Sequence, residues 1–336
     1  MKVSELGEFG LIDLLSGMVS DVRDSEKEVW RRLILGIGDD AAAWQANDSV
    51  QLVTADLLIE GIHFTLDITS WEELGWRAMA ANLSDIAAMG GLPGYALVSL
   101  ALPGHTEVED VTALYRGMIG LAQQFGTAII GGDVSGAPQL VINITILGGT
   151  GSREGNILTR SSAGVGDKIA VTGYLGASAA GLEMLKEHLA FDSESASALK
   201  EAFLKPYPRV HEGRILIEQG VKAAIDISDG LISDLGHICQ MSKVSARVEI
   251  ERVPVHPAVK THFGDRAVNM ALAGGEDYEL LFTASDDTVN RVKAATSCPV
   301  TVIGEIVPDE TGEIVLLDAE GNRISLPEKG WEHFSK

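Results

Sequence analysis

The chain predicts a two-domain α/β (α+β) protein, on three grounds. Its 336 residues exceed what one hydrophobic core normally organises, so two units of roughly 150 residues each are expected. Apolar β-type runs alternate with amphipathic stretches along the whole length, the pattern of strands and helices packed in layers. A glycine turn followed by acids recurs in both halves, as "GIGDDAA" and "DISDGLIS" and again as "GGD" and "GGED", which hints at duplication of one α/β unit. The favoured boundary falls in "GGTGSREGN" and divides the chain into domains 1–152 and 153–336.

In order, an amphipathic helix is expected over about residues 8–20, and "VQLVTAD" (50–56) alternates as a strand that ends in an acid. "SWEELGWRAMAANLSDIAAMGG" opens on a capping box, Ser70 with Glu73, and closes on Gly90 and Gly91. Its alanine-rich interior predicts a tightly packed helix with Asn82 and Asp85 on one face. "YALVSLAL" reads as a strand, Thr106 to Gly126 as a capped helix, "TAIIGGD" as a strand delivering Asp133, and "QLVINITILGG" as another strand. In the second half "DKIAVTG" is a strand, while "GASAAGLEMLKEHL" and "YPRVHEGRILIEQG" are helices, the latter with Pro208 near its start. "KAAIDISDGLISDLGHICQ" is a strand that turns into a helix at Asp226 to Gly230, and "GGEDYELLFTA" is a glycine pair, acids and a strand.

A composition 46% hydrophobic and 22% charged belongs to a soluble globular protein with a filled core. The net charge of -22 argues against general binding to nucleic acid or acidic membranes, which needs basic clusters. An anion could still be held by backbone amides, a few placed basic residues and divalent cations. Cys239 and Cys298 are too few and too isolated for a disulfide framework or a zinc site. "MKVSELGEFG" has no apolar signal core and no run approaches the roughly 18 apolar residues of a membrane span, so the cytoplasm is the expected location.

In "LGIGDDAAAW", Asp39 and Asp40 follow a backbone loosened by Gly36 and Gly38 and precede side chains too small to obstruct, an arrangement open to a hard cation. Asp39, Asp40, Asp56, Asp85, Asp133, Asp226 and Asp229 nearly all stand at strand ends, at glycine turns or in an Ala/Gly-rich helix. Strand ends are where open α/β sheets place their ligands. Singly, each acid has a local explanation: Asp229 as an N-cap, Asp85 as a cap or local pair, Asp-Gly as a turn. Together they would repel one another unless neutralised, which implies several Mg²⁺ ions and a polyphosphate to share their shells. The chain lacks the G-x-x-x-x-G-K-[ST] loop, the kinase H-R-D and D-F-G set and a complete G-x-G-x-x-G, so P-loop and Rossmann readings fail.

"GIGDDAA", "NLSDIAAMGG", "IIGGD", "LTRSSAGVGD", "AIDISDGLISDLGHI" and "GGEDYELLF", in this order, resemble the thiamine-monophosphate kinase family, within the superfamily of ATP-dependent aminoimidazole ribonucleotide synthetases. The resemblance spans about residues 5–334 and implies that two-domain fold, with an N-terminal mixed sheet with helices, for ATP and Mg²⁺ binding and dimerisation, and a C-terminal α/β domain. It implies ATP-dependent phosphorylation of thiamine monophosphate to thiamine diphosphate, an Mg²⁺ requirement, K⁺ commonly stimulating, and a homodimer. Carried over by position, Asp40, Thr54, Ala55, Asp56, Asp85, Asp133, Asp226 and Asp229 fall at the family's Mg²⁺ sites. Ala55 stands where relatives often carry a hydroxyl, so its contact comes through the carbonyl or is lost. Gly132, Asp133, Arg160 and Ser228 fall at ATP contacts, with Tyr115 touching the nucleotide, and His63, Glu276 and Trp331 fall at the thiamine-phosphate site. Asp85, Asp133 and Arg160 are the expected catalytic set.

On spacing alone, Arg160 could also be a surface ion pair, His63 a core histidine and Trp331 a packing residue. Two rivals stand beside the kinase reading. One is another superfamily enzyme, such as a purine cyclo-ligase or a selenophosphate synthetase, although the reactive cysteine of the latter has no counterpart here. The other is a silent nucleotide-binding regulator, which would be expected to have lost acids that this chain keeps. Spacing supports no Ser-His or Cys-His nucleophile, so direct transfer without a phosphoenzyme is expected.

Overall fold

The computed structural model describes residues 32–35, 38–46, 49–151, 155–309 and 311–324; the expected helix near 8–20 and Trp331 lie outside these. Strands β1 (Leu33–Leu35), β2 (Ala42–Ala46), β3 (Ser49–Ile59), β4 (Leu92–Leu102), β5 (Ala128–Gly136) and β6 (Val141–Gly149) form one sheet in the order β1-β2-β3-β6-β4-β5. Every pairing in it is antiparallel except β4 with β5. Strand alternation sends Ala96, Val98 and Leu100 of β4 and Ile142, Ile144 and Ile146 of β6 into a core shared with helices α1 (Trp71–Ala88) and α2 (Val108–Gln124).

Helix α1 begins where the sequence places it. The Ser70 hydroxyl accepts the Glu73 N–H at 3.3 Å and the Glu73 carboxylate accepts the Ser70 N–H at 3.0 Å. Helix α2 starts two residues after the expected Thr106, which instead closes a turn with its N–H on the Pro103 carbonyl; Glu107 holds the N-cap position and makes no side-chain cap. The two helices cross at backbone contact. A Cβ on Gly75 would lie 1.9 Å from the Leu114 carbonyl oxygen and one on Gly117 1.8 Å from that of Glu72, so only glycine fits.

The second sheet holds β7 (Lys168–Thr172), β8 (Ala223–Asp226), β9 (Ser245–Glu249), β10 (Leu280–Ala284), β11 (Val300–Val307), β12 (Ile314–Leu317) and β13 (Arg323–Ile324). Its order is β13-β12-β9-β11-β7-β10-β8, antiparallel except where β12 runs with β9. Helices α3 (Ala177–Lys186), α4 (Ser193–Leu204), α5 (Val210–Glu218), α6 (Leu231–Ser242), α7 (Pro257–Phe263), α8 (Ala267–Ala273) and α9 (Asp286–Ala295) accompany it. Val171, Ile225 and Leu281 pack on one face with Leu235 and Ile238 of α6, while Ala170, Ala224 and Phe282 pack on the other with Ile215 and Leu216 of α5. Ala87 and Ala88, the last residues of α1, belong to that second cluster, so a first-domain helix ends in the second domain's core. The mixed two-domain α/β architecture is the expected one; its short or polar members, such as β1, α4 and β13, carry too little periodicity to be foreseen.

Candidate active site

Asp40, Asp85 and Asp226 bring carboxylate oxygens to within 4.8 Å of one another. They come from three places: the glycine turn ahead of β2, the last turn of α1, and the final residue of β8. Helix α1 joins them. Ser84 donates to Asp226 at 2.6 Å, Asp85 accepts from the Thr54 hydroxyl, and the Asn82 side-chain carbonyl accepts the Asp56 N–H at 3.1 Å. Thr54 and Asp56 face α1 because alternate residues of a strand share a side; Ala55 between them is exposed on the other.

Burial pushes Asp85 and Asp226 well above the usual carboxylate range, and neighbouring carboxylates add to it. Burial and then the Asp40 charge raise Asp39 to about 7, and burial with Asp40 raises Asp56 to about 6. Arg160 partly offsets this crowding. Its Nη2 donates to Asp40 Oδ1 at 2.7 Å, its Nε to Oδ2 at 3.2 Å, and its backbone N–H to Asp39 at 3.2 Å. Burial alone would lower the Arg160 guanidinium, but the Asp40 carboxylate outweighs it and holds the pKa above its ordinary value. Ser242 of α6 fixes that turn, donating to the Arg160 carbonyl at 2.7 Å and accepting the Ala163 N–H at 3.0 Å. Arg160 is therefore no surface ion pair: its partner carboxylate is fully buried.

Asp229 joins a second group, with Asp234 and His237. It is not the N-cap of α6, contrary to the local reading of its spacing. Gly230 holds that position, and Asp234, inside the first turn, reaches back to accept the N–H groups of Ser228, Asp229 and Gly230 at 3.1, 3.2 and 3.1 Å. Sequence reasoning missed Asp234; the signal was an acid four residues into a helix that opens on glycine. The same loop is zipped to "GGEDYEL". Glu276 N–H donates to the Ser228 carbonyl at 2.7 Å and Tyr278 N–H to that of Ile227 at 2.9 Å, while a Cβ on Gly275 would meet the Ser228 oxygen at 2.4 Å. Glu276 pairs with Arg77 of α1 at 2.6 Å, a partner the sequence did not reveal.

Other expected residues stand apart from this cluster. His63 Nδ1 accepts the Ile59 N–H at 3.0 Å in the turn after β3, and Tyr115 packs against the first-domain core. Gly132 and Asp133 lie exposed on β5. Asp133 is level with Ser99, Asn143 and Leu57, three strands from β3 and on the face opposite Asp56.

Buried carboxylates are thus gathered from the strand ends and one helix of two mixed α/β domains. The family model for the AIR synthase related protein N-terminal domain matches residues 38–150, and that for its C-terminal domain residues 164–316. The thiamine-monophosphate kinase of Bacillus subtilis (strain 168) is 39% identical over 310 residues, covering 89% of this chain and 93% of that protein. That of Aquifex aeolicus (strain VF5) is 35% identical over 337 residues, covering 99% and 100%. The solved structure of AaThiL complexed with AMPPCP and TMP matches with a TM-score of 0.85 at 33% identity over 99% of each chain. The chain belongs to the thiamine-monophosphate kinase family and is a phosphotransferase.

Proposed function

We propose that the protein transfers the γ-phosphoryl group of ATP in line to the phosphate of thiamine monophosphate, yielding ADP and thiamine diphosphate. The observation that carries this reading is the buried set Asp40, Asp85 and Asp226, with oxygens within 4.8 Å of one another and the pKa values of Asp85 and Asp226 raised by burial. The AaThiL complex, which contains an ATP analogue and TMP, supports the substrate pair. Oxygen-only donors fit Mg²⁺. Asp40, Thr54, Asp56, Asp85 and Asp226 would hold it, with Ala55 contributing its carbonyl and Asp229 acting from the second group with Asp234 and His237. Bound Mg²⁺ supplies neutralisation of the charge on the transferring phosphoryl group.

The chain's own residues supply the rest. Arg160 carries a cation already fixed in the cluster, with further guanidinium N–H donors for phosphate oxygens. Gly132, Ser228 and Tyr115 are assigned to the nucleotide, and His63, Glu276 and Trp331 to the thiamine end. A phosphate acceptor is largely ionised near neutral pH and needs no strong base. Burial pushes the Cys239 thiol up to about 12 and Cys298 up to about 11, which makes both poor nucleophiles and favours direct transfer.

The first sheet ends in exposed apolar residues at its β4–β5 edge, Tyr95 and Leu97 on β4 and Ile130 and Val134 on β5, which supports a homodimer through that edge. Asp133 of one copy lies about 14 Å, three strand spacings, from its own Asp56, so its share in a metal site would be with the acids of a second copy. A division at 152/153 and a cytoplasmic location complete the reading; no helix among the described residues is long and apolar enough to cross a membrane.

Steady-state ADP formation with and without thiamine monophosphate tests it. Release that depends on the acceptor is expected, with inversion at a chiral γ-thiophosphate. Turnover indifferent to the acceptor would refute the kinase reading, and net retention would refute direct transfer.

A further inference from the structure

We propose that Arg77, held by Glu276, reads the 4-aminopyrimidine ring of the acceptor, its unpaired N–H donating to a ring nitrogen while the second carboxylate oxygen of Glu276 accepts from the exocyclic amine. The inference rests on the kinase reading and names the group recognised at its acceptor end.

The Arg77 side chain is only 5% exposed. Its Nη2 donates to Glu276 Oε2 at 2.6 Å and its guanidinium carbon lies 4.3 Å from the centre of the Phe203 ring. Nη1 is buried and meets no acceptor among the described residues. A charged donor left unmet inside a protein is costly, so it marks a place where a ligand supplies the partner. Glu276 complements it, since one oxygen is taken, the other has no protein partner among the described residues, and the side chain is 31% exposed. Glu276 and Tyr278 both hold left-handed backbone, at φ 63° and 50°, strain of the kind retained at ligand-binding loops.

Position decides which part of the acceptor meets the pair. Tyr278 is pushed far above its usual range by burial first and then by Glu276, with Arg77, Asp56 and Asp226 also acting on it. The Glu276 N–H bond to the Ser228 carbonyl, two residues beyond Asp226, sets the pair beside the acid cluster. Yet Arg77 precedes Asp85 by two turns of α1, about 12 Å along the axis, and helical side chains lean toward the N-terminus. A phosphate meeting the γ-phosphoryl group at the acids cannot also reach Arg77; the far, heterocyclic end of the molecule can. Of its two rings, the cationic thiazolium gains nothing beside a guanidinium. The neutral aminopyrimidine presents an N–H donor next to a ring-nitrogen acceptor, the complement of a carboxylate oxygen next to a guanidinium N–H.

The test compares kcat/KM for thiamine monophosphate and oxythiamine monophosphate, whose ring exchanges donor and acceptor, in wild type, Arg77→Met and Arg77→Lys. Wild type should prefer the amino compound by roughly 10–100-fold. Arg77→Met should lose about tenfold of that preference while the KM for ATP moves less than about twofold. Arg77→Lys keeps the charge and a bond to Glu276 but not the second fixed N–H, and should lose preference in the same direction, which covers the case in which Arg77→Met does not fold. A preference unchanged in a folded variant, with only the melting temperature lowered, would make Arg77 a packing residue and overturn the proposal. So would a rise confined to the KM for ATP, because adenine carries the same donor–acceptor edge. A wild-type protein that releases no ADP in response to thiamine monophosphate would instead overturn the kinase reading itself.

Discussion

Raising the pH from 5 to 8 should tighten Mg²⁺ binding. Burial raises Asp56 and Asp39 in the folded protein to about 6 and about 7 against a reference of 3.8, and shifts Asp85 and Asp226 in the same direction. An ion that binds the carboxylate forms must displace these protons, so its affinity changes about tenfold per pH unit for each proton displaced. The share of the slope owed to Asp56 and Asp39 should be greatest below about 6 and should fade above about 7. The same shifts fix the sign of the metal-free stability. Because the folded pKa lies above the unfolded one, the folded state holds extra protons between 3.8 and about 7, and stability falls as pH rises through that window. For Asp39 the difference amounts to at most about 4 kcal/mol, since one unit is ~1.4 kcal/mol and part of the shift is shared with Asp40. Asp192, lowered to about 2, is ionised in both states above pH 5, whereas His237 and His256, lowered by burial, act against the carboxylates inside the window. Titration calorimetry with MgCl₂ and thermal unfolding with and without Mg²⁺, at pH 5, 6, 7 and 8, measure both effects. An affinity flat across that range, or a melting-temperature gain from Mg²⁺ that does not grow from pH 5 to 7, would refute a cation site built from these acids.

Asp85→Asn should cut turnover by about 100-fold or more while making the metal-free protein more stable, because it removes a buried charge; activity and melting temperature are read on the same preparation, and undiminished turnover at limiting Mg²⁺ would take Asp85 out of the site. Ile130→Arg, at a residue 59% exposed on β5, should halve the mass seen by sedimentation without unfolding the protein, and an unchanged mass would move the dimer contact elsewhere. Gly75→Ala should cost roughly 1–3 kcal/mol in urea unfolding because its Cβ lands on the Leu114 carbonyl. Gly120→Ala, with nothing within 4 Å of its Cβ, is the control and should be neutral or mildly stabilising; equal losses in both would deny the close helix crossing.

What the sequence disclosed follows from how local each signal is. Helix α1 is legible because its cap, its small-residue interior and its glycine exit all lie within one segment, and β3 because its alternation does. The acids are legible as a chemical type, but their grouping is not. Seven aspartates at turns and strand ends look equivalent in one dimension. The order β1-β2-β3-β6-β4-β5 then separates Asp133 from Asp56 by three strands, and the turn into α6 sends Asp229 toward Asp234 and His237. Asp234 and Arg77 were missed for a related reason: each acts on a segment whose proximity only the fold creates. The recurring glycine–acid motif serves two sheets of different strand order, so it marks a shared local device more clearly than a shared topology.

Helix α1 shows why such acids keep company with alanines. Arg77, Asn82, Ser84 and Asp85 project from it toward Glu276, Asp56, Asp226 and Thr54, contacts that reach both domains. Long side chains between these positions would hold the second domain away. Alanine and glycine let Ala87 and Ala88 enter the second domain's core, and that approach is what brings Asp40, Asp85 and Asp226 within 4.8 Å. The packing that stabilises the interface thus forces the carboxylates together, and the resulting repulsion is relieved by a proton at low pH and, on the reading proposed here, by a divalent cation at neutral pH. A substitution such as Ala87→Leu should therefore weaken Mg²⁺ binding without touching a ligand, because widening the domain contact separates Asp85 from Asp226. Calorimetry on that variant checks it, and unaltered affinity in a folded protein would show that the acids are positioned independently of the helix's small-residue face.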